Sequence, residues 1–239
     1  MDREIAEYLK FLKDIGIQEI PKIKIKTSSE KKPEIPVEQV FEQMKKQVEQ
    51  CKACQLHLKR QNSVFGEGNP KADLMFIGEA PGADEDRQGR PFVGKAGQLL
   101  TKIIKAMGLE RKEVFIANVI KCRPPFNRDP EPEEIACCWH FIEKQIKLIN
   151  PKVICTLGRI STRTLLQTTS AISRLRGNFG EYKGIKVMPT FHPSYLLRNP
   201  SAKKLVWEDM QKIMKYLADN SEQYSAKIKA KLEEYNGKN

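Results

Sequence analysis

Four short apolar runs, each stopped by a small or polar residue, constrain this chain more than any other feature. They are Leu74-Met75-Phe76-Ile77 before Gly78, Val114-Phe115-Ile116-Ala117 before Asn118, Val153-Ile154-Cys155-Thr156-Leu157 before Gly158, and Ile185-Lys186-Val187-Met188 leading to His192-Pro193. Helix-spaced stretches separate them. Residues 95–107 place Leu99, Leu100, Ile103, Ile104 and Met107 on one side, and residues 159–167 read as a further helix. Asp129-Pro130 offers a cap and a first-turn proline for a helix running to about Ile149. Residues 201–219 form the last helix of the domain. Strand alternating with helix four times predicts an α/β fold, a parallel sheet covered on both faces.

That topology locates a site. Open α/β sheets bind ligands beyond the carboxyl ends of their strands. The residues at that rim are Glu79, Asn118, Gly158 and His192. Three of the four carry polar groups able to do chemistry.

Charge suggests the partner. The chain has 42 Lys and Arg against 30 Asp and Glu, a net +12. Residues 1–50 hold ten of each sign, so the surplus lies in residues 51–239. Arginines cluster in loop-like stretches: Arg87 and Arg90, Arg123 and Arg128, Arg174 and Arg176, and Arg198. Their forks suit phosphate oxygens, and a polyanion is the natural partner. An ion-rich, heat-tolerant surface is the plainer explanation. No apolar run approaches the roughly 18 residues that span a bilayer. The start, Met1-Asp2-Arg3-Glu4, lacks a signal-peptide pattern, so a cytoplasmic protein with no membrane role is expected.

The chain divides into three expected parts. Residues 1–45 form an N-terminal extension, with a helix at 4–15 and a charged linker holding Pro21, Pro33 and Pro36. Residues 36–50 resume as a polar helix. Residues 46–220 form the main domain, and residues 221–239 a partly helical tail.

Several motifs carry chemistry. Cys51-Lys52-Ala53-Cys54 precedes the first strand, Cys122 follows the second, and Cys138 lies in the next helix. Four thiolates bind tetrahedral zinc or a [4Fe–4S] cluster. A thioredoxin-type redox pair would instead open a helix after the first strand. Cys137, beside Cys138, competes as the fourth ligand, while Cys155 is mid-strand packing. Gly78-Glu79-Ala80-Pro81-Gly82-Ala83-Asp84-Glu85-Asp86 puts four carboxylates in one turn, which suits a cationic centre or an activated water, or else a helix cap. Gly89-Arg90-Pro91-Phe92-Val93-Gly94 presents an aromatic that either stacks on a base or covers a core edge. Asn118 offers a planar donor–acceptor pair that reads a nucleobase edge, or it stabilises a turn. In His192-Pro193-Ser194-Tyr195-Leu196-Leu197-Arg198, Ser194 suits a phosphate and a leucine suits a wedge in a base stack.

Together these segments resemble the family-4, iron–sulfur uracil-DNA glycosylases of thermophilic bacteria and archaea. The likeness runs from about Cys51 to Asn220 and rests on GEAPGADED (78–86), GRPFVGKAGQLL (89–100), ANVIKCRPP (117–125), HPSYLLRNP (192–200) and the four cysteines. It implies a three-layer α/β/α domain with a central four-stranded parallel sheet. It implies a structural [4Fe–4S] cluster on Cys51, Cys54, Cys122 and Cys138. It implies hydrolysis of the N-glycosidic bond of deoxyuridine in single- and double-stranded DNA. Glu79 would handle water and offset sugar cation, and His192 would serve uracil O2. Phe92, Asn118, Gly78 and Ala80 would hold the base, and Ser194, Leu196, Leu197 and Arg198 the DNA. Relatives that trap uracil covalently carry a His after the third strand, and residues 159–180 contain none. The stretch Glu79-Ala80-Pro81-Gly82 offers no bulky aromatic to exclude thymine.

Two other functions compete: a non-catalytic nucleic-acid-binding module stapled by a four-cysteine metal site, and an electron-transfer protein. A pure phosphate binder gains nothing from four carboxylates, and an electron carrier has no need of Asn118 and His192 at one rim. A monomer is expected, with residues 1–45 available to tether a replication or repair protein.

Overall fold

The computed structural model describes residues 36–236, so the expected helix at 4–15, most of the linker and the proposed tethering segment lie outside the described residues. Helix α1 (Val37–Glu49) leads through the cysteine loop to β1 (Glu67–Gly68) and β2 (Leu74–Gly78). Helices α2 (Ala83–Gln88) and α3 (Lys95–Ala106) precede β3 (Phe115–Asn118). Helix α4 (Pro132–Ile149), β4 (Val153–Leu157), α5 (Arg159–Leu166) and α6 (Ile172–Leu175) follow. The hairpin β5 (Gly180–Tyr182) and β6 (Ile185–Thr190) then leads to α7 (Pro193–Arg198), α8 (Ala202–Asn220) and α9 (Ser225–Asn236).

The four apolar runs are β2, β3, β4 and β6, and they pair in parallel. The sheet has six strands, in the order β1-β3-β2-β4-β6-β5, because a short antiparallel strand closes each edge. These two edges were not foreseeable from the residues: strands of two and three residues are too short to show alternation. β5 turns into β6 through Lys183 and Gly184, both at positive φ (50° and 83°), as a two-residue hairpin requires.

Alternation along each strand feeds two cores. Leu74 and Phe76 face α3, α8 and α9, whereas Met75 and Ile77 face α1 and α4. This makes three layers. Helix α4 starts two residues later than expected: Glu131 is its cap and Pro132 its first residue, and the Glu131 amide donates to Glu134 Oε2 at 2.8 Å. Asp129, expected as the cap, pairs instead with Arg159.

The packed body extends past both expected domain limits. α1 buries Phe41, Met44 and Val48, so the core begins before residue 46. Ser221 Oγ donates to Asp73 Oδ2 at 2.6 Å, the Tyr224 hydroxyl donates to the Glu113 carbonyl, and Tyr224 and Ile228 lie in the core. No helix among the described residues is long and apolar enough to cross a membrane.

Residues 221–236 are therefore part of the body rather than a loose tail. Ile228→Ala is expected to cost about 2–5 kcal/mol in guanidinium unfolding, as a fully buried isoleucine does. A cost within about 0.5 kcal/mol, typical of an exposed position, would contradict this packing.

Candidate active site

Glu79, Asn118 and His192 come from the tips of three strands and line one cleft of about 500 Å³. Ala80, Phe92, Gly158, Ser194 and Arg198 line it with them. A volume of this order holds a nucleoside-sized ligand.

Asn118 is fixed from behind. It ends β3 directly opposite Gly78 of β2. The pairing continues past the strands, with Val119 N donating to Gly78 O (3.0 Å) and Ile120 N to Glu79 O (3.2 Å). The buried Lys121 ammonium donates to Asn118 O at 3.0 Å and to Gln145 Oε1 at 2.7 Å. The Asn118 side-chain oxygen, by contrast, is buried with no hydrogen-bond partner. A buried acceptor without a donor is costly, which is the mark of a group kept for a ligand.

Phe92 stands beside it. Its φ of +51° is unusual for an aromatic residue. Arg111 holds the turn by donating to Phe92 O (3.1 Å) and Pro91 O (2.8 Å). Gly97 packs so close that a Cβ there would sit 1.9 Å from the Phe92 carbonyl. A Cβ on Gly78 would meet Asn118 Oδ1 at 2.4 Å and Phe92 Cζ at 2.5 Å, so only glycine lets these two side chains meet. Gly78 is thus the floor beneath them.

His192 caps α7 and packs its ring 5.7 Å from that of Phe92. The Ser194 amide donates to His192 Nδ1 at 3.1 Å, and Ser194 Oγ lies 2.7 Å from the same nitrogen. An amide only donates, so Nδ1 accepts and the neutral ring carries its proton on Nε2. Burial pushes the His192 pKa down to about 4, so the ring is neutral at physiological pH.

The acidic turn divides its labour. Asp86 is buried and accepts from Gln61 N at 3.0 Å. Glu85 accepts from the amides of Val93 (2.8 Å), Gly94 (2.9 Å) and Gly82 (3.2 Å), and Asp84 pairs with Arg87. These three build α2 and its loops. Glu79 alone of the four has no hydrogen bond or ion pair from its carboxylate among the described residues. Burial, with Asp129 nearby, raises its pKa to about 7, while Arg159 opposes the shift.

The DNA-facing expectations separate. Leu196 is 1% exposed and belongs to the core, so it is no wedge; Leu197, one residue on, is 46% exposed. Adjacent positions on a helix point about 100° apart, and that decides which leucine is free. The Ser194 hydroxyl is engaged with His192. Arg87, Arg90, Arg128 and Arg176 pair with Asp84, Glu67, Glu134 and Asp209, so they are not free phosphate forks. Arg123, Arg174 and Arg198 have no carboxylate partner among the described residues. The sequence did not flag Arg111, Lys121 and Gln145, which hold Phe92 and Asn118 from behind; nothing in their spacing announces such a role.

A second cavity gathers the cysteines. Cys51, Cys54, Cys122, Cys137 and Cys138 line it with His57, Arg60 and Lys121, and none of these residues lines the cleft. None of the five thiols is in a disulfide. Arg60 Nη1 donates to Cys122 Sγ at 3.0 Å and the Lys121 amide to Cys138 Sγ at 3.3 Å. Such donors suit thiolates bound to an anionic centre. Among the described residues, no three His, Cys, Asp or Glu side chains are arranged to hold a single metal ion. Cys155 is fully buried in β4, as expected for packing.

The raised Glu79 pKa has a consequence for stability. Between the ordinary value of 4.5 and about 7 the folded state holds this proton and the unfolded state has lost it. The unfolded state therefore binds fewer protons in that window, and this group's contribution to stability falls as pH rises through it. Glu79→Gln is expected to remove that fall, read by unfolding at about pH 4 and about pH 8. An unchanged pH dependence would refute the shift.

Known proteins are similar to this chain. It matches the family model of the Uracil DNA glycosylase superfamily over residues 65–213. It is 50% identical over 182 residues to a type-4 uracil-DNA glycosylase of Sulfurisphaera tokodaii, covering 72% of this chain and 83% of that protein. It is 47% identical over 184 residues to one from Thermotoga maritima, covering 75% and 96%. A third, from Saccharolobus solfataricus, is 46% identical over 181 residues, covering 72% and 84%. With a cleft at the strand tips and relatives matched along most of their length, the chain belongs to the uracil DNA glycosylase superfamily and, within it, to the type-4 family.

Proposed function

We infer that this protein is a uracil-DNA glycosylase, which hydrolyses the N-glycosidic bond of deoxyuridine, releases uracil and leaves an abasic site. The observation that carries the chemistry is the meeting of three complementary groups in one cleft: an orphaned acceptor on Asn118, an Nε2–H donor on His192, and an unpaired carboxylate on Glu79.

The reaction divides charge, and each group takes a part. The uridine must leave the stack, at a cost of a few kcal/mol. Phe92 recovers part of that by stacking on the extruded base. Uracil N3–H donates to Asn118 Oδ1, and the Asn118 amide nitrogen donates to O4. Cytosine presents an unprotonated N3 and an amino group, so it leaves Oδ1 unpaired and is refused. As the bond breaks, negative charge grows on the base. The neutral His192 donates from Nε2 to O2, a preorganised donor that spends no proton of its own. Positive charge grows on the sugar, where the Glu79 carboxylate offsets it and orients water. Arg198 lines the cleft and would contact a phosphate, and the exposed Leu197 next to it would serve as the wedge. Every group needed comes from one chain, which suits a monomer acting on single- and double-stranded DNA in the cytoplasm. Of residues 1–45, those ahead of the packed helix α1 would serve as a tether to a replication or repair protein.

The cysteine cavity is the place for a [4Fe–4S] cluster on Cys51, Cys54, Cys122 and Cys138. The sulfurs of Cys122 and Cys138 already receive N–H donors, which favours Cys138 over Cys137. A lone tetrahedral zinc needs its ligands to converge on one point; a cluster holds its thiolates farther apart. When bound, the cluster supplies a covalent staple joining the end of α1, the loop after β3 and the start of α4. The cavity shares no lining residue with the cleft, which supports a structural role.

Two measurements test these readings. On a uracil-bearing single strand followed by alkali, His192→Ala is expected to lose about 10²–10³ in rate and Glu79→Ala about 10²–10⁴. Asn118→Ala should lose roughly ten- to a hundredfold in kcat/KM. Full activity in all three would end the assignment. Purified protein is expected to be yellow-brown, with iron and acid-labile sulfide in equal amounts. Colourless anaerobic protein carrying zinc would overturn the cluster.

A further inference from the structure

The loop after β3 carries an aromatic ring that none of these roles uses. Phe126 is 99% exposed, with φ 55° and ψ 19°. Asn127 follows at φ 54°, so two consecutive non-glycine residues sit in the left-handed region. Such a backbone persists only where its surroundings hold it. Here they do. Pro124 and Pro125 stiffen the approach, Asn127 N donates to Pro124 O (3.1 Å), and Arg128 N to Pro125 O (3.1 Å). Arg123 Nε donates to Asn127 Oδ1 at 2.8 Å, and the Arg128 guanidinium forks onto both Glu134 oxygens. The loop's backbone is hydrogen-bonded in place, yet its ring points into solvent.

Its position gives the ring a partner. Pro124, Asn127 and Arg128 line the cleft, so Phe126 stands at the tip of that wall. β3 and β6 are the outermost of the four parallel strands. The segments after them, the loop that carries Phe126 and helix α7 with the 46%-exposed Leu197, therefore flank the cleft from opposite ends. Beside Phe126, the Arg123 guanidinium has no carboxylate partner among the described residues, which favours an anionic polymer. A single ring on a hydrogen-bonded turn, next to free positive charge, is suited to a base face rather than to an apolar protein surface.

We propose that Phe126 is a second DNA-contacting tip, whose ring stacks on a nucleobase beside the extruded uridine while Leu197 acts from the other side. The proposal rests on the glycosylase reading. Base–aromatic stacking contributes affinity that salt hardly screens, whereas a phosphate contact changes the salt slope.

The test is binding of the full chain to a duplex bearing a tetrahydrofuran abasic analogue, measured across a salt series. Phe126→Gly suits the left-handed backbone, so its melting temperature should match or exceed that of the parent. It is expected to bind roughly tenfold more weakly with an unchanged salt slope. Phe126→Trp should restore affinity, and Arg123→Ala should reduce the slope by about one. Uracil release from the same duplex sequence separates the two readings. If the parent releases uracil and Phe126→Gly binds within twofold of it, or changes the salt slope, the stacking role is overturned and the glycosylase stands. If the parent releases no uracil from either strand form, the glycosylase reading fails and this proposal with it.

Discussion

The parallel pairing of β2 with β3 is the constraint on which the rest of the structure depends. It sets Gly78 against Asn118 and continues through two further amide–carbonyl bonds, so that Glu79 leaves the sheet just where Asn118 ends it. Because residue 78 has no side chain, Phe92 and Asn118 both close over the junction there. The Phe92 ring, the Asn118 amide and the Glu79 carboxylate are thus arranged by one backbone register. A slip of one residue would turn Asn118 to the opposite face of the sheet.

Polar groups beneath the cleft hold Asn118 in place. Lys121 is fully buried, yet it bonds on one side to the Asn118 carbonyl and on the other to Gln145, whose amide reaches Phe65 O at 3.0 Å. Its backbone amide bonds to Cys138 Sγ. One residue therefore joins the cysteine cavity to the floor of the cleft. His192 is held by another economy: a single serine supplies both the amide and the hydroxyl that face Nδ1, and this fixes where the ring proton can be.

Much of this was legible in the sequence. Continuous apolar runs mark the central strands, and the rule of ligands at carboxyl ends points to Glu79, Asn118 and His192. The edge strands β1 and β5 left no such mark, because two or three residues carry no period. The start of α4 was misplaced because Asp129-Pro130 has the chemistry of a cap; the fork from Arg128 to Glu134 shifts the helix start to Pro132. Leu196 and Leu197 are equivalent to a reader of composition, and only the helix turn separates core from surface. The acidic turn looked like one feature, but three of its carboxylates bond to neighbouring backbone or arginine and one is left for the cleft. Positive φ at Phe126 could not be read from a Pro-Pro-Phe-Asn string.

Elements near both ends of the described chain contribute to the interior. α1 fills the core on one face of the sheet, and Tyr224 and Ile228 fill the core on the other. Ser221 reaches back to Asp73, 148 residues earlier. During synthesis, then, the chain must emerge as far as Ile228 before the second face can close. Until that moment a nascent chain exposes one flank of its sheet, and it depends on chaperones or on speed to avoid sticking to its neighbours.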